Sequence, residues 1–251
     1  MVNLGLWKKE IFMGRLKFFI ALAILSITAV GIPFVYKFTL KMVETAPVPE
    51  FARSQVALFK DYSFYIWSQW FGKNLLQMGS MMAIFFGAGV ISSEVSAGTI
   101  NFLLTKPVRR QWVFTVKYVT GLAYLVLVVV ISTMAMYFSV VASGRGFPFI
   151  ILLENTGITL AGLAVVFSLA TYFSTIFDQA TKSMLVSALT AFGLSLPGYF
   201  PAVKKYSLYY QMQGSSIYAG QGFPVVSFIF LVLVSAGIFG LAAARFSRKD
   251  L

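Results

Sequence analysis

The sequence contains no cysteine and no histidine. Without cysteine there is no disulfide, no thiolate metal site and no thiol nucleophile. Without histidine there is no Ser–His triad and no His-ligated zinc or haem. Neither a G-x-S-x-G nucleophile turn nor a Walker-type G-x-x-x-x-G-K-[ST] loop occurs, so the chain does not hold ATP through a P-loop of its own. No catalytic, cofactor-binding or metal-ligating residue emerges. Charge is also scarce. Only 11% of residues are charged, against about a quarter in soluble domains. With 59% hydrophobic residues and a mean hydropathy of +0.83, the composition is that of an all-α integral membrane protein.

Acidic residues are the rarest charges, 8 against 20 basic ones, for a net charge of +12. The basic residues sit at the ends of apolar runs, the pattern of membrane orientation and headgroup contact. No basic face is long enough to follow a nucleic-acid backbone, which excludes that partner.

Six apolar runs have the length or composition of spans: residues 18–36, 75–92, 118–142, 155–177, 183–196 and 224–244. Residues 1–17 read as a helix lying in the interface, with a plain extension of the first span as the alternative; the late charges and the absence of a small-residue cleavage site argue against a signal peptide. Pro33 falls near the far end of the first span, where a kink is tolerated. Residues 37–73 form the longest polar interval and end in Tyr62, Phe64, Tyr65, Trp67, Trp70 and Phe71, an expected interfacial belt. Residues 197–223 are too polar to span yet rich in Tyr, Gly and Pro. A re-entrant outer segment and an ordinary loop with tyrosine anchors fit them equally.

Six spans put both termini on one side. The majority of the Lys and Arg residues, concentrated in the shorter segments, make that side cytoplasmic. Gly79, Gly87 and Gly162 are the candidate helix-packing positions, since small residues let helices approach closely; a dimer packed partly through these faces is expected. No run contains Asp, Glu, Lys or Arg in its interior. That absence argues against a proton relay or ion-coupled site inside the membrane. Energy for uphill transport then comes from another polypeptide.

The polar stretch 93–117 interrupts the chain between the second and third runs. Its order, Glu94-x-x-x-Gly98-Thr99-x-x-x-Leu103-Leu104-x-x-Pro107-x-x-Arg110 and then Lys117, resembles the cytoplasmic loop of type-2 ABC exporter permeases. Members often carry a second acid where this chain has Ser96. Local chemistry agrees with a docking element. Gly98-Thr99 permits a break, Leu103 and Leu104 can bury against a partner, and Pro107 favours the start of a helix just after it. Arg109 and Arg110 can pair with acidic groups or lipid phosphates. The resemblance implies a six-span membrane subunit of an exporter in the cell membrane, paired with a second permease subunit as a homodimer or heterodimer. Separate ABC ATPase subunits would bind ATP and Mg and grip Glu94, Gly98, Thr99, Leu103, Leu104, Pro107, Arg109 and Arg110. A channel needing no ATPase and a non-transporting scaffold are the alternatives.

Overall fold

The protein is described by a computed structural model covering residues 4–45, 58–100 and 109–249. Among these residues every regular element is helical. Four helices are long and apolar enough to cross a membrane, which makes the chain an integral membrane protein.

Helix α1, Leu4–Thr45, is a single 42-residue rod. Nothing in residues 4–32 breaks a helix, so the expected interfacial helix is not a separate element. Its described part forms the first turns of α1, as in the alternative reading. The rod also runs past Pro33 and the expected end at Tyr36, carrying Lys37 and Lys41 as helical residues. Ala21, Leu25, Ala29, Ile32 and Tyr36 are buried at three- and four-residue spacing, one stripe of a helix. That stripe packs on α5, Arg110–Ala142.

Helix α2, Tyr62–Gln69, starts at Asp61, whose carboxylate accepts from the Ser63 N–H at 2.9 Å. It passes through a π turn at Trp70–Asn74 into α3, Leu75–Gly87. The aromatic cluster expected at the interface is instead largely core. Trp70 and Phe71 are fully buried, Tyr65 and Trp67 nearly so. Their polar tips find partners inside: Trp70 donates to Thr133 Oγ1 at 3.1 Å, Trp67 to Asn155 Oδ1 at 3.2 Å and Tyr65 to the Ile32 carbonyl at 3.2 Å. Satisfied tips let large amphipathic rings bury completely.

A turn after α3 leads into the short α4, Ser92–Ser96. Helix α6, Phe149–Ile176, is the best covered of the four long helices, with 56% of its most apolar window buried. Helix α7, Ala180–Ser195, has 16 residues, about 24 Å of rise against a hydrocarbon core of about 30 Å. Helix α10, Val225–Ser247, begins after Pro224, has only 17% of its window buried, and presents a broad apolar surface. Most bounds lie within a few residues of the expected runs; α5 starts eight earlier and α6 six earlier.

Residues 197–223 are neither a hairpin nor a bare loop. Two 3-10 turns, Leu196–Tyr199 and Lys204–Tyr206, precede α8, Leu208–Met212, and α9, Ser215–Tyr218. Helix α8 packs on α6. Met212 is fully buried, its carbonyl accepts from Thr159 Oγ1 at 2.9 Å, and it lies against Gly162. Gly162 sits thirteen residues into α6, about 20 Å from that helix's first residue. Hydroxyls stitch the remaining helices: Tyr118 to Ser168 at 2.7 Å and Ser168 to Ser235 at 2.9 Å join α5, α6 and α10. Among the described residues, no buried side-chain polar atom lacks a hydrogen-bond partner.

Candidate functional site

Lys9 and Glu10 near the start of α1, Glu94 on α4, Arg110 and Lys117 on α5, and Lys249 after α10 meet at one end of the bundle. The placement of α4 there follows from a long-range cap. Ser174 Oγ, near the end of α6, accepts from the N–H groups of Ile91 at 2.8 Å and Ser92 at 3.0 Å. These are donors that a helix start leaves without an internal partner. The cap holds α4 so that Glu94 reaches between α1 and α5.

Glu94 is the centre of an ion cluster. Lys117, on α5 and 5% exposed, places its Nζ 2.8 Å from Glu94 Oε1 and 2.8 Å from Glu10 Oε1 on α1. Lys9 adds a third pair, 3.2 Å from Glu94 Oε1. Thr99 Oγ1 donates to the other carboxylate oxygen of Glu94. Gly98 makes that contact possible. Its φ of +69° is the left-handed conformation that glycine adopts freely after a helix C-terminus, and it turns Thr99 back over the end of α4. Burial by itself pushes the Glu94 carboxyl up. The Lys117 charge, the hydrogen bonds from Lys117 and Thr99, and the Lys9 charge outweigh it and bring the pKa down to about 2. Two bases and two acids thus form a near-neutral quartet, with Glu94 and Lys117 buried and Lys9 and Glu10 at its partly exposed edge. Such a group contributes more to a defined arrangement than to net stability, and it is costly to break from one side.

Arg110 opens α5 and its guanidinium donates to the Lys249 carbonyl at 2.6 Å, fastening the start of α5 to the end of α10. Arg109 precedes it with an extended backbone and an exposed side chain. Leu103, Leu104 and Pro107 lie outside the described residues. Of the expected coupling residues, the structure therefore brings together Glu94, Gly98 and Thr99. It sets Arg110 on a different neighbour, and it recruits Lys9, Glu10 and Lys117 to Glu94. A signal for those three was present in the sequence. Glu10 is the first of only eight acids and stands beside Lys9, yet nothing local says that residues 10, 94 and 117 meet.

The packing glycines are used within the chain. A Cβ on Gly79 would come 2.9 Å from Leu163 Cδ1, one on Gly87 2.8 Å from the Phe167 carbonyl, and one on Gly162 2.5 Å from Met212 Cβ. All three glycines are buried. Their small faces are thus filled by α6 and α8 of the same chain and are not presented to a second copy.

A cleft of about 560 Å³ opens between α3, α7 and the 196–213 segment. Gln77, Ser80, Tyr209 and Gln213 supply polar groups on walls that include Leu76, Met81 and Phe192. The π turn at Trp70–Asn74 contributes Gly72 to this cleft, and π turns often mark functional positions in helices.

The family model described as ABC-2 family transporter protein covers residues 6–251. The chain belongs to the ABC-2 transporter family. Neither the curated proteins nor the solved structures yield a match. The family match spans the whole bundle, from the first turns of α1 through the ion cluster to the end of α10.

Proposed function

We propose that this ABC-2 family chain is the six-span permease subunit of an ATP-driven exporter in the cell membrane, with both termini cytoplasmic. Helices α1, α5, α6 and α10 supply four spans. The α2–π–α3 run supplies another, and α7 with its following 3-10 turn supplies the short remaining one. The 208–218 part of the outer segment is re-entrant, with α8 and α9 packed on α6 and Met212 against Gly162, so that protein covers it as a chain dipping into a membrane requires. The cleft between α3 and α7 forms one wall of the substrate path. ATP and Mg bind to separate ATPase subunits, a second permease subunit completes the path, and this chain performs no catalysis.

The observation that carries this reading is the Glu94 quartet. Residues 92–100 are tied to both α1 and α5 by charge pairs at 2.8–3.2 Å. An ATPase gripping the adjoining 101–109 segment therefore pushes on two spans at once. Rigid-body displacement of packed helices is the usual form of such a switch. Charged contacts suit the joint because they fix one geometry through hydrogen bonds and can re-form in another.

A tagged chain purified from its native membrane should bring down an ATPase with Walker motifs in stoichiometric amount. The variant Leu104→Ala/Arg110→Ala should still insert but retain that ATPase poorly, by about two orders of magnitude if the burial and charge contributions add. Absence of any ATPase in the wild-type preparation would favour an ATP-independent channel.

A further inference from the structure

The last turns of α6 and α10 enclose a second cavity, about 400 Å³, at the end of the bundle that carries the ion cluster. Its floor is apolar, with Ile176, Leu241 and Ala244. Its rim is basic, with Arg245, Arg248 and Lys249. No described lining residue is a carboxylate. The ammonium of Lys249 is matched by Asp178 at 2.7 Å, which leaves the two guanidinium groups as the rim's distinctive charge.

These residues continue a longer pattern. At 100° per residue, Phe230, Leu233, Leu241, Arg245 and Arg248 fall on one face of α10. The first three are 62%, 65% and 64% exposed. An uncovered apolar stripe therefore runs along the helix and ends in two arginines beside a cavity. A free phosphate or an acidic protein loop would match the arginines but not the stripe. A phospholipid matches both, with acyl chains along Leu233 and Leu241 and an anionic headgroup at Arg245 and Arg248. Basic pockets between spans are suited to such headgroups, and guanidinium groups suit phosphate oxygens.

We infer that the groove between the ends of α6 and α10 is a specific site for one anionic phospholipid. The site requires only that α10 faces lipid, so it stands apart from the assignment of an ATPase partner. Its position matters for coupling, because Arg110 at the start of α5 is bonded to the Lys249 carbonyl on the same rim.

The test is native mass spectrometry of the purified, delipidated chain titrated with dioleoyl phosphatidylglycerol, dioleoyl phosphatidylcholine or inorganic phosphate. One phosphatidylglycerol per chain should be retained at concentrations where the other two are not. Arg245→Gln/Arg248→Gln should weaken that retention at least about tenfold. Ala244→Trp, which leaves both charges and fills the exposed floor, should do the same. Arg145→Gln at the opposite end should leave it unchanged. Equal retention of the two lipids, or retention unaffected by both groove variants, would overturn the site. Phosphate binding at the same concentration would make it a free-anion site and overturn the lipid assignment. Loss of a co-purifying ATPase from the arginine variant with lipid retention intact would reassign the arginines to the partner.

Discussion

The two ends of the bundle are held by different chemistry. At one end, α1, α4 and α5 meet through Lys9, Glu10, Glu94 and Lys117. At the other end, α1, α2, α6 and α9 meet chiefly through aromatic rings and the hydrogen bonds of their polar tips. Trp67 stacks on Tyr218 with centroids 4.9 Å apart, Tyr36 packs on Tyr62 and Tyr65, and Arg145 lies 4.6 Å over the Tyr36 and Tyr62 rings. Rings and close-packed glycines resist displacement because every shift opens voids or clashes. The charge quartet around the buried Glu94 and Lys117 instead depends on a complete set of partners and responds to whatever changes its charge. If the chain works as proposed, the moving joint lies at the charged end and the anchor at the aromatic end.

The largest effect should come from Lys117→Met, which leaves Glu10 without its ion pair and the buried Glu94 with only the partly exposed Lys9. Loss of one partner from a buried ion group costs about 3–5 kcal/mol, read as early thermal aggregation of the detergent-purified chain. The triple variant Glu10→Gln/Glu94→Gln/Lys117→Met removes both acids as well and should recover most of that loss. Failure of the triple variant to recover would mean that Lys117 acts through packing alone.

Acid and alkali should attack opposite ends. The Glu94 carboxyl lies at about 2 in the folded protein, below its ordinary value of 4.5. Its contribution is therefore complete above pH 4.5 and is lost as pH falls toward 2, a loss of about 3 kcal/mol. Tyr218 behaves in the reverse sense. Burial, then its hydrogen bond to Asp61 at 3.0 Å and the Asp61 charge, raise its phenol to about 12. Its contribution is complete below the ordinary phenol value of 10 and is lost as pH rises through 12. Unfolding followed by pH should show Glu94→Gln removing the acid-side loss and Tyr218→Phe removing the alkaline one, each leaving the other limb in place.

Gly162→Leu should overpack the middle of the bundle against Met212 and destabilise by about 1–3 kcal/mol. Met212→Ala in the same chain should restore part of it, a coupling measurable as a double-mutant cycle. The smallest effect is expected from Trp67→Phe. It removes the hydrogen bond to Asn155 while keeping a ring against Tyr218, a loss of about 1 kcal/mol.

Much of the bundle was legible because hydrophobic runs and charge placement act locally along the chain. The four long spans follow from runs without charge, and Gly98 was readable as a break. The structure makes it a left-handed turn that returns Thr99 to Glu94. Three features were not legible. Trp67 and Trp70 look like interfacial anchors in sequence, because amphipathic rings suit both an interface and a satisfied core; only Asn155 and Thr133, more than sixty residues away, decide between them. The glycines at 79, 87 and 162 announce close packing but not the identity of the neighbour, which proved to be the same chain. The meeting of Glu10, Glu94 and Lys117 depends on the bundle's tertiary arrangement, about which local periodicity carries no information.

In the proposed mechanism the Glu94 quartet transmits force between an ATPase and the spans. The most direct measurement is the affinity of the co-purifying ATPase for the permease in nanodiscs. Wild type should be compared with Glu94→Gln/Thr99→Ala, which frees residues 92–100 from α1 and α5, and with Trp67→Phe as the aromatic-end control. Affinity should be at least about tenfold weaker for the Glu94 variant, a change of about 1.4 kcal/mol, with the control equal to wild type. Equal affinity in all three would contradict the mechanism, as would a loss in the Trp67 variant matching that of the Glu94 variant.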